Sequence, residues 1–136
     1  MIVLDCNAAV EIARGTKDGA ALMTFMGDGE QVMAPKLFTY ELANVVSKYA
    51  RGGYISSDAA LTLGEQASEL VDEFNDDEDL WAEVVSESIR LQHSAYDLYY
   101  MLLTRRKAAT LFTLDRKLQN LCLDNGVNCV YLDDEF

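Results

Sequence analysis

Four acidic residues stand where chemistry could be assembled. Asp5 closes the apolar run MIVLD and Asp115 closes the β-rich run ATLFTLD, so two strand candidates each end in an aspartate. Glu41 and Asp97 lie in helical stretches, each near a core-facing boundary. In parallel α/β sheets, function collects at the carboxyl ends of strands. A fold that gathers these four carboxylates makes an anionic pocket, and like charges repel until something neutralises them. Hard divalent cations do so through oxygen ligands, and Mg²⁺ uses few carboxylates while keeping several waters. Mg²⁺ or Mn²⁺ held this way suits phosphodiester cleavage, because the metal generates a hydroxide nucleophile and shields transition-state charge. Acids at strand ends and in first helical turns also serve as caps and turn residues. Spacing alone leaves both readings open.

The elements that must position these acids follow from periodicity. Residues 1–5 read as a buried strand, 7–14 as a helix with Asn7 as N-cap, and 17–26 as a short helix closed by Gly27. QVMAP at 31–35 is a second strand, ended by Pro35. Residues 36–51 form an amphipathic helix with Leu42, Val45, Val46 and Tyr49 on its core face. Glu41, Asn44 and Lys48 share a neighbouring edge of it, and Gly52-Gly53 stops it. Ser56 or Ser57 caps the next helix, which the pattern carries to about Phe74. NDDED at 75–79 is a turn or helix start, followed by helices over 80–92 and 95–107. The latter is apolar nearly all round and so belongs in the core or at a subunit interface. A strand over 109–115, a helix over 116–125 stopped by Gly126, and a last strand over 128–132 complete the chain. This order predicts an α/β fold, a three-layer α/β/α arrangement around a central, mainly parallel sheet.

Composition sets the bounds. The 136 residues suit one domain spanning 1–136, and half are hydrophobic. Pro35 is the one proline, and no linker, repeat or low-complexity tract interrupts the chain. The N-terminus lacks a basic segment and Asp5 breaks its apolar run, unlike a signal peptide. No apolar stretch nears the roughly 20 residues that cross a bilayer. The expectation is a soluble cytoplasmic protein without a membrane partner. Cys6, Cys122 and Cys129 lack CxxC spacing, which argues for reduced thiols and against a disulfide framework or structural zinc. The net charge is −12, which disfavours phosphate-bearing partners. Residues 57–87 hold 11 acids and no Lys or Arg, leaving 12 acids and 11 bases elsewhere. One segment therefore produces nearly the whole negative field, and its expected role is a solvated helical face.

Four segments resemble the motifs of the PIN-domain family, in particular its VapC-type toxin ribonucleases. IVLDCNAAVE resembles the first, a strand ending in Asp before a helix. APKLFTYELANVV resembles the second, with Pro, then Glu, then Asn three residues on. SAYDLYYMLL resembles the third, where Tyr-Asp opens a hydrophobic helix, and TLFTLDRKLQ the fourth, a strand ending Thr-x-Asp before a basic turn. They occur in family order and span nearly the whole chain. The resemblance implies that Asp5, Glu41, Asp97 and Asp115 form a catalytic metal site for Mg²⁺ or Mn²⁺, supported by Asn7, Asn44 and Thr113. It implies endoribonuclease action on RNA, a homodimer and, for the toxin branch, a cognate antitoxin. Lys48, beside Glu41, and Arg116, after Asp115, are candidates to contact RNA.

Other sites are less well supported. His93 is the only histidine, and its place at a helix end suggests structure, not a Ser-His-Asp or Cys-His arrangement. Cys6 should point away from Asp5 and pack in the core. Trp81 and the tyrosines read as core or interface residues. No Gly-rich phosphate loop is present. A haloacid-dehalogenase-like site needs Asp-x-Asp where this chain has Asp5-Cys6-Asn7. The competing functional reading is a PIN-fold binding protein that keeps its acids without catalysis.

Overall fold

The computed structural model describes residues 1–132. Side-chain alternation along the strands sorts the core into two halves. In β1 (Ile2–Leu4), Ile2 and Leu4 belong to one hydrophobic cluster and Val3 to the other. β2 (Val32–Pro35) repeats this, with Val32 and Ala34 in the first cluster and Met33 in the second. Two apolar faces on one sheet require helices on both, and the chain supplies them. α1 (Cys6–Arg14), α2 (Lys17–Met23), α3 (Leu37–Arg51) and α4 (Ser57–Glu69) bury Ala8, Ala9, Leu22, Phe38, Leu42 and Ala67 on the first side. α5 (Trp81–Leu91), α6 (Ala95–Lys107) and α7 (Arg116–Asp124) bury Val84, Leu98, Met101, Leu118 and Cys122 on the second. The expected three-layer α/β/α fold is therefore present.

The sheet also contains β3 (Glu73–Asn75) and β4 (Thr110–Phe112), in the order β3-β2-β1-β4 with all pairs parallel. The chain runs outward from β1 to β2 and β3, then returns to lay β4 on the other side of β1. Such a reversal opens a crevice at the carboxyl ends of the two strands flanking it, here β1 and β4. Asp5 follows the first and Thr113 the second. The Asp5 N–H donates to the Phe112 carbonyl at 2.9 Å, which fixes their relative register.

Several boundaries differ from expectation. The helix predicted to run to Phe74 ends at Glu69, and Glu73–Asn75 is an edge strand. Phe74 continues the helical apolar spacing, but Asp72 breaks the pattern by bonding Val32: its N–H reaches the Val32 carbonyl and its Oδ2 accepts the Val32 N–H, both at 2.8 Å. The second helix stops at Met23, before Gly27. The strand expected over 128–132 shrinks to one parallel bridge between Leu111 and Cys129. Asn7 lies inside α1, whose N-cap is Asp5. The acidic segment is more than a solvated face. Asp77 Oδ2 accepts the Leu37 N–H at 2.9 Å at the start of α3, where the N-cap residue Lys36 supplies no acceptor. Asp79, Glu83 and Glu87 pair with Arg105 or Arg106 of α6. Among the described residues, no helix is long and apolar enough to cross a membrane.

Candidate active site

The crevice between β1 and β4 is built around Asp5. Its carboxyl is 5% exposed, and its Oδ2 accepts the Thr113 hydroxyl at 2.7 Å and the Asn7 amide at 3.2 Å. Burial pushes its pKa up to about 7; Thr113 opposes the rise, and the negative charges of Glu41 and Asp97 add to it. The negative charges of Glu41 and Asp97 thus bear on Asp5, and that of Asp97 bears on Glu41.

Each of these acids is held by a neighbour. Tyr100, fully buried on α6, donates its hydroxyl to Glu41 Oε1 at 2.5 Å. Burial and then the Asp97 charge raise the pKa of Glu41, and the Tyr100 bond counters them. Tyr100 itself is pushed far above its ordinary value by burial and by Asp5 and Glu41, so it stays a donor. Asp97, in the first turn of α6, meets His93 Nε2 at 2.8 Å through Oδ2. Gln92, with φ +52°, closes α5 in the left-handed conformation and swings His93 over that turn. His93 is thus structural in its placement, yet it touches an acid of the site. The i, i+4 spacing of His93 and Asp97 was readable, but helix signals place His93 ahead of α6, where that spacing carries no expectation of contact.

Asp115 stands at the margin. Its Oδ1 caps α7 by accepting the N–H groups of Lys117 and Leu118. Its own N–H donates to Thr113 Oγ1 at 3.1 Å, so one hydroxyl links it to Asp5. Asn7 completes this mesh, accepting the Leu114 N–H at 3.0 Å through Oδ1. Gln119, 2% exposed, donates to the Thr113 carbonyl at 2.7 Å and holds the loop from behind. Sequence periodicity showed it only as a helical residue. Asn44 and Lys48 are exposed on α3, and their side chains make no hydrogen bond among the described residues. Arg116 reaches the Leu132 carbonyl at 3.3 Å. Cys6 is buried in the core as expected, its thiol pushed up to about 12 by burial, Glu41 and Asp5. Trp81, Tyr40, Tyr54 and Tyr96 are not core residues; each is more than 60% exposed.

Among the described residues, no three His, Cys, Asp or Glu side chains form a ready-made metal cage. A hard cation that retains its waters does not need one. The donor set is all oxygen, and a buried carboxyl raised to about 7 beside two further acids is an arrangement that a divalent ion relieves. The residues fit such an ion.

The solved structure of PAE2754 from Pyrobaculum aerophilum superposes with a TM-score of 0.71 at 23% identity, covering 88% of this chain and 84% of that one. That likeness concerns the fold. No curated protein matches the chain. The family model for the PIN domain matches residues 2–123, and PIN domains are typically nucleases that generally bind divalent metal ions. With nearly its whole length matched by that model, the chain belongs to the PIN domain family.

Proposed function

We propose that this protein is a Mg²⁺- or Mn²⁺-dependent endoribonuclease that hydrolyses RNA phosphodiester bonds at the crevice beside Asp5. The observation that carries this reading is the buried Asp5 carboxyl at the sheet's switch point, within electrostatic reach of Glu41 and Asp97. Asp5, Glu41 and Asp97 would hold the ion, with Asp115 at the edge of its shell. When bound, a divalent ion supplies Lewis acidity toward the phosphoryl group and activates water for attack at neutral pH. The chain's own residues prepare the place. Thr113 and Asn7 aim Asp5, Tyr100 aims Glu41, and His93 aims Asp97. A bound cation would favour the ionised form of Asp5 over the protonated one. A cavity of about 280 Å³ lined by Asn7, Val45, Tyr49 and Asp115 adjoins the site and offers room for the strand.

The finer reading is the toxin of a type II toxin–antitoxin pair acting as a homodimer, with Lys48 and Arg116 toward the RNA. Its supports are the SAYDLYYMLL motif and an exposed apolar stripe on α5. Trp81, Val85 and Ile89 recur every four residues there and are 63, 47 and 67% exposed, a surface suited to a partner. A non-catalytic binding role is favoured by one observation: Asp97 and Asp115 already have protein partners.

Calorimetric titration of Mg²⁺ and Mn²⁺ separates the two, with an RNA-cleavage screen alongside. Asp5→Ala and Asp97→Ala should lose both metal binding and cleavage while remaining folded. Wild-type cleavage rates in both purified variants would refute the site, and no metal binding with or without RNA would favour the non-catalytic role.

A further inference from the structure

We propose that Cys122 and Cys129 are a dithiol pair that a peroxide or a small-molecule disulfide converts reversibly to a disulfide, clamping the chain that follows α7 onto β4. The inference does not depend on the nuclease reading. Cys122 is fully buried near the end of α7, and Cys129 lies half-buried beyond the turn at Gly126. Residues paired across a sheet point to the same face. Val3 and Leu111 are such partners, and both belong to the second hydrophobic cluster. Cys129 bridges Leu111 in parallel, so its side chain faces the same cluster, where Cys122 is packed. The two thiols meet there. Cys122 donates to Cys129, and Cys129 in turn donates to the Val130 carbonyl at 3.5 Å. The turn between them is held, because the Val127 N–H donates to the Cys122 carbonyl at 2.9 Å. Cys6 packs on the opposite side of the sheet, away from the pair.

Exposure sets the order of events. A thiolate is the nucleophile, and Cys129 is the thiol that solvent reaches. The bond from Cys122 also holds the Cys129 thiol below its ordinary range, while that bond and burial push Cys122 up. With a peroxide, the Cys129 thiolate attacks one oxygen, the O–O bond breaks and hydroxide leaves, giving a sulfenic acid. The Cys122 sulfur then attacks the sulfenic sulfur, the S–O bond breaks, and the departing hydroxide takes the Cys122 proton. Two thiols lose two electrons and two protons, and the peroxide becomes two waters. With glutathione disulfide, reduced glutathione leaves at each step instead. In the reduced protein this segment meets β4 through Leu111, whose N–H and carbonyl bond Asn128 and Val130 at 2.9 and 3.0 Å. The disulfide adds a covalent tie at the same place and restricts the unfolded chain. β4 leads to Thr113 and α7 is capped by Asp115, so the clamp sits behind the loop that carries both.

The test treats the purified full chain with hydrogen peroxide or glutathione disulfide, blocks the remaining thiols with iodoacetamide in denaturant, and digests with trypsin. Both cysteines fall in one tryptic peptide, residues 118–136. The expected result by mass spectrometry is that peptide lighter by two hydrogens and free of alkylation, with Cys6 alkylated. Dithiothreitol should restore alkylation at all three. Oxidised wild type should melt about 5–10 °C above the reduced protein. Cys129→Ser and Cys122→Ala should show neither the lost hydrogens nor the redox-dependent melting. Cys129→Ser leaves the buried Cys122 in place and so remains readable if Cys122→Ala fails to fold. Alkylation of both cysteines after oxidation would overturn the inference. So would a disulfide that joins two chains or recruits Cys6, or sulfinic and sulfonic acids formed in place of the bond. A Cys122–Cys129 disulfide that leaves the melting temperature unchanged would overturn the clamp.

Discussion

The Tyr100 hydroxyl donates to Glu41 Oε1 at 2.5 Å and ties α6 to α3 beneath the acidic crevice. Two helices from opposite sides of the sheet thus meet through one phenol. Because Tyr100 is fully buried and Glu41 half-buried, the bond is shielded from water. Tyr100→Phe keeps the ring's volume and removes only the donor. A hydrogen bond to a charged group contributes about 1.5–3 kcal/mol, so urea unfolding of the variant at neutral pH should show a loss in that range. Removing the bond also removes what holds the Glu41 pKa down, so that carboxyl should titrate higher. Unchanged stability would mean that water replaces the phenol at little cost.

Asp5 makes the metal-free protein sensitive to pH. Its pKa is about 7 in the fold against 3.8 for the free side chain. The folded state therefore holds a proton that the unfolded chain releases. This contribution to stability is fully present below about pH 3.8 and is lost as pH rises through about 7. In EDTA, chemical denaturation should show stability falling over that window, with a shallower slope in Asp5→Asn. Divalent-ion affinity should run the opposite way, rising by up to about tenfold per pH unit below 7 as the ion displaces the proton. A flat stability profile shared by wild type and variant would show that Asp5 is ionised throughout.

Gly19 tests the packing that carries α1. A Cβ at this position would lie 2.1 Å from the Glu11 carbonyl oxygen, a contact with backbone that no side-chain rotation relieves. Gly19→Ala must push α2 away from α1. Overpacking of this kind costs about 1–3 kcal/mol and sometimes more, outweighing the better helix propensity of Ala. A variant as stable as wild type would show that the two helices separate freely.

Asp5 was legible in the sequence because strand ends are marked by composition, whereas Asn7 and Thr113 entered as site residues only through the resemblance to the family's motifs. An apolar run that stops at an acid places that acid at the edge of a sheet. The three-layer architecture was legible for a related reason, since strands and helices alternate with two different periods. β3 was not, because a three-residue edge strand with one apolar side chain carries too little alternation to outweigh the helix before it. The second set of contacts was illegible as well. Tyr100 and Gln119 read as helical core positions, which they are, but periodicity says nothing of where a buried hydroxyl or amide finds its partner. Asp77 at the start of α3 is a long-range cap, 40 residues away in the chain. In sequence it is one of four consecutive acids, Asp76, Asp77, Glu78 and Asp79.

His93 offers the sharpest test of how the site is held. Its ring meets Asp97 at 2.8 Å, while its backbone is fixed through Ser88, whose hydroxyl donates to the His93 carbonyl at 2.6 Å. The imidazole therefore sits on an anchored turn and restrains the Asp97 carboxylate in one orientation. Partners that orient ligand carboxylates are typically worth 10- to 100-fold in metal affinity. His93→Ala should weaken Mg²⁺ or Mn²⁺ binding by about that factor while the Ser88 hydroxyl bond, which uses only backbone at residue 93, survives. His93→Gln, which can still reach Asp97 with an amide donor, should recover part of the loss. Calorimetry on the three proteins reads this directly, and circular dichroism confirms that the fold is kept. If the alanine variant binds metal more tightly, His93 competes with the ion for Asp97, and the carboxylate must leave the imidazole before it can join the site.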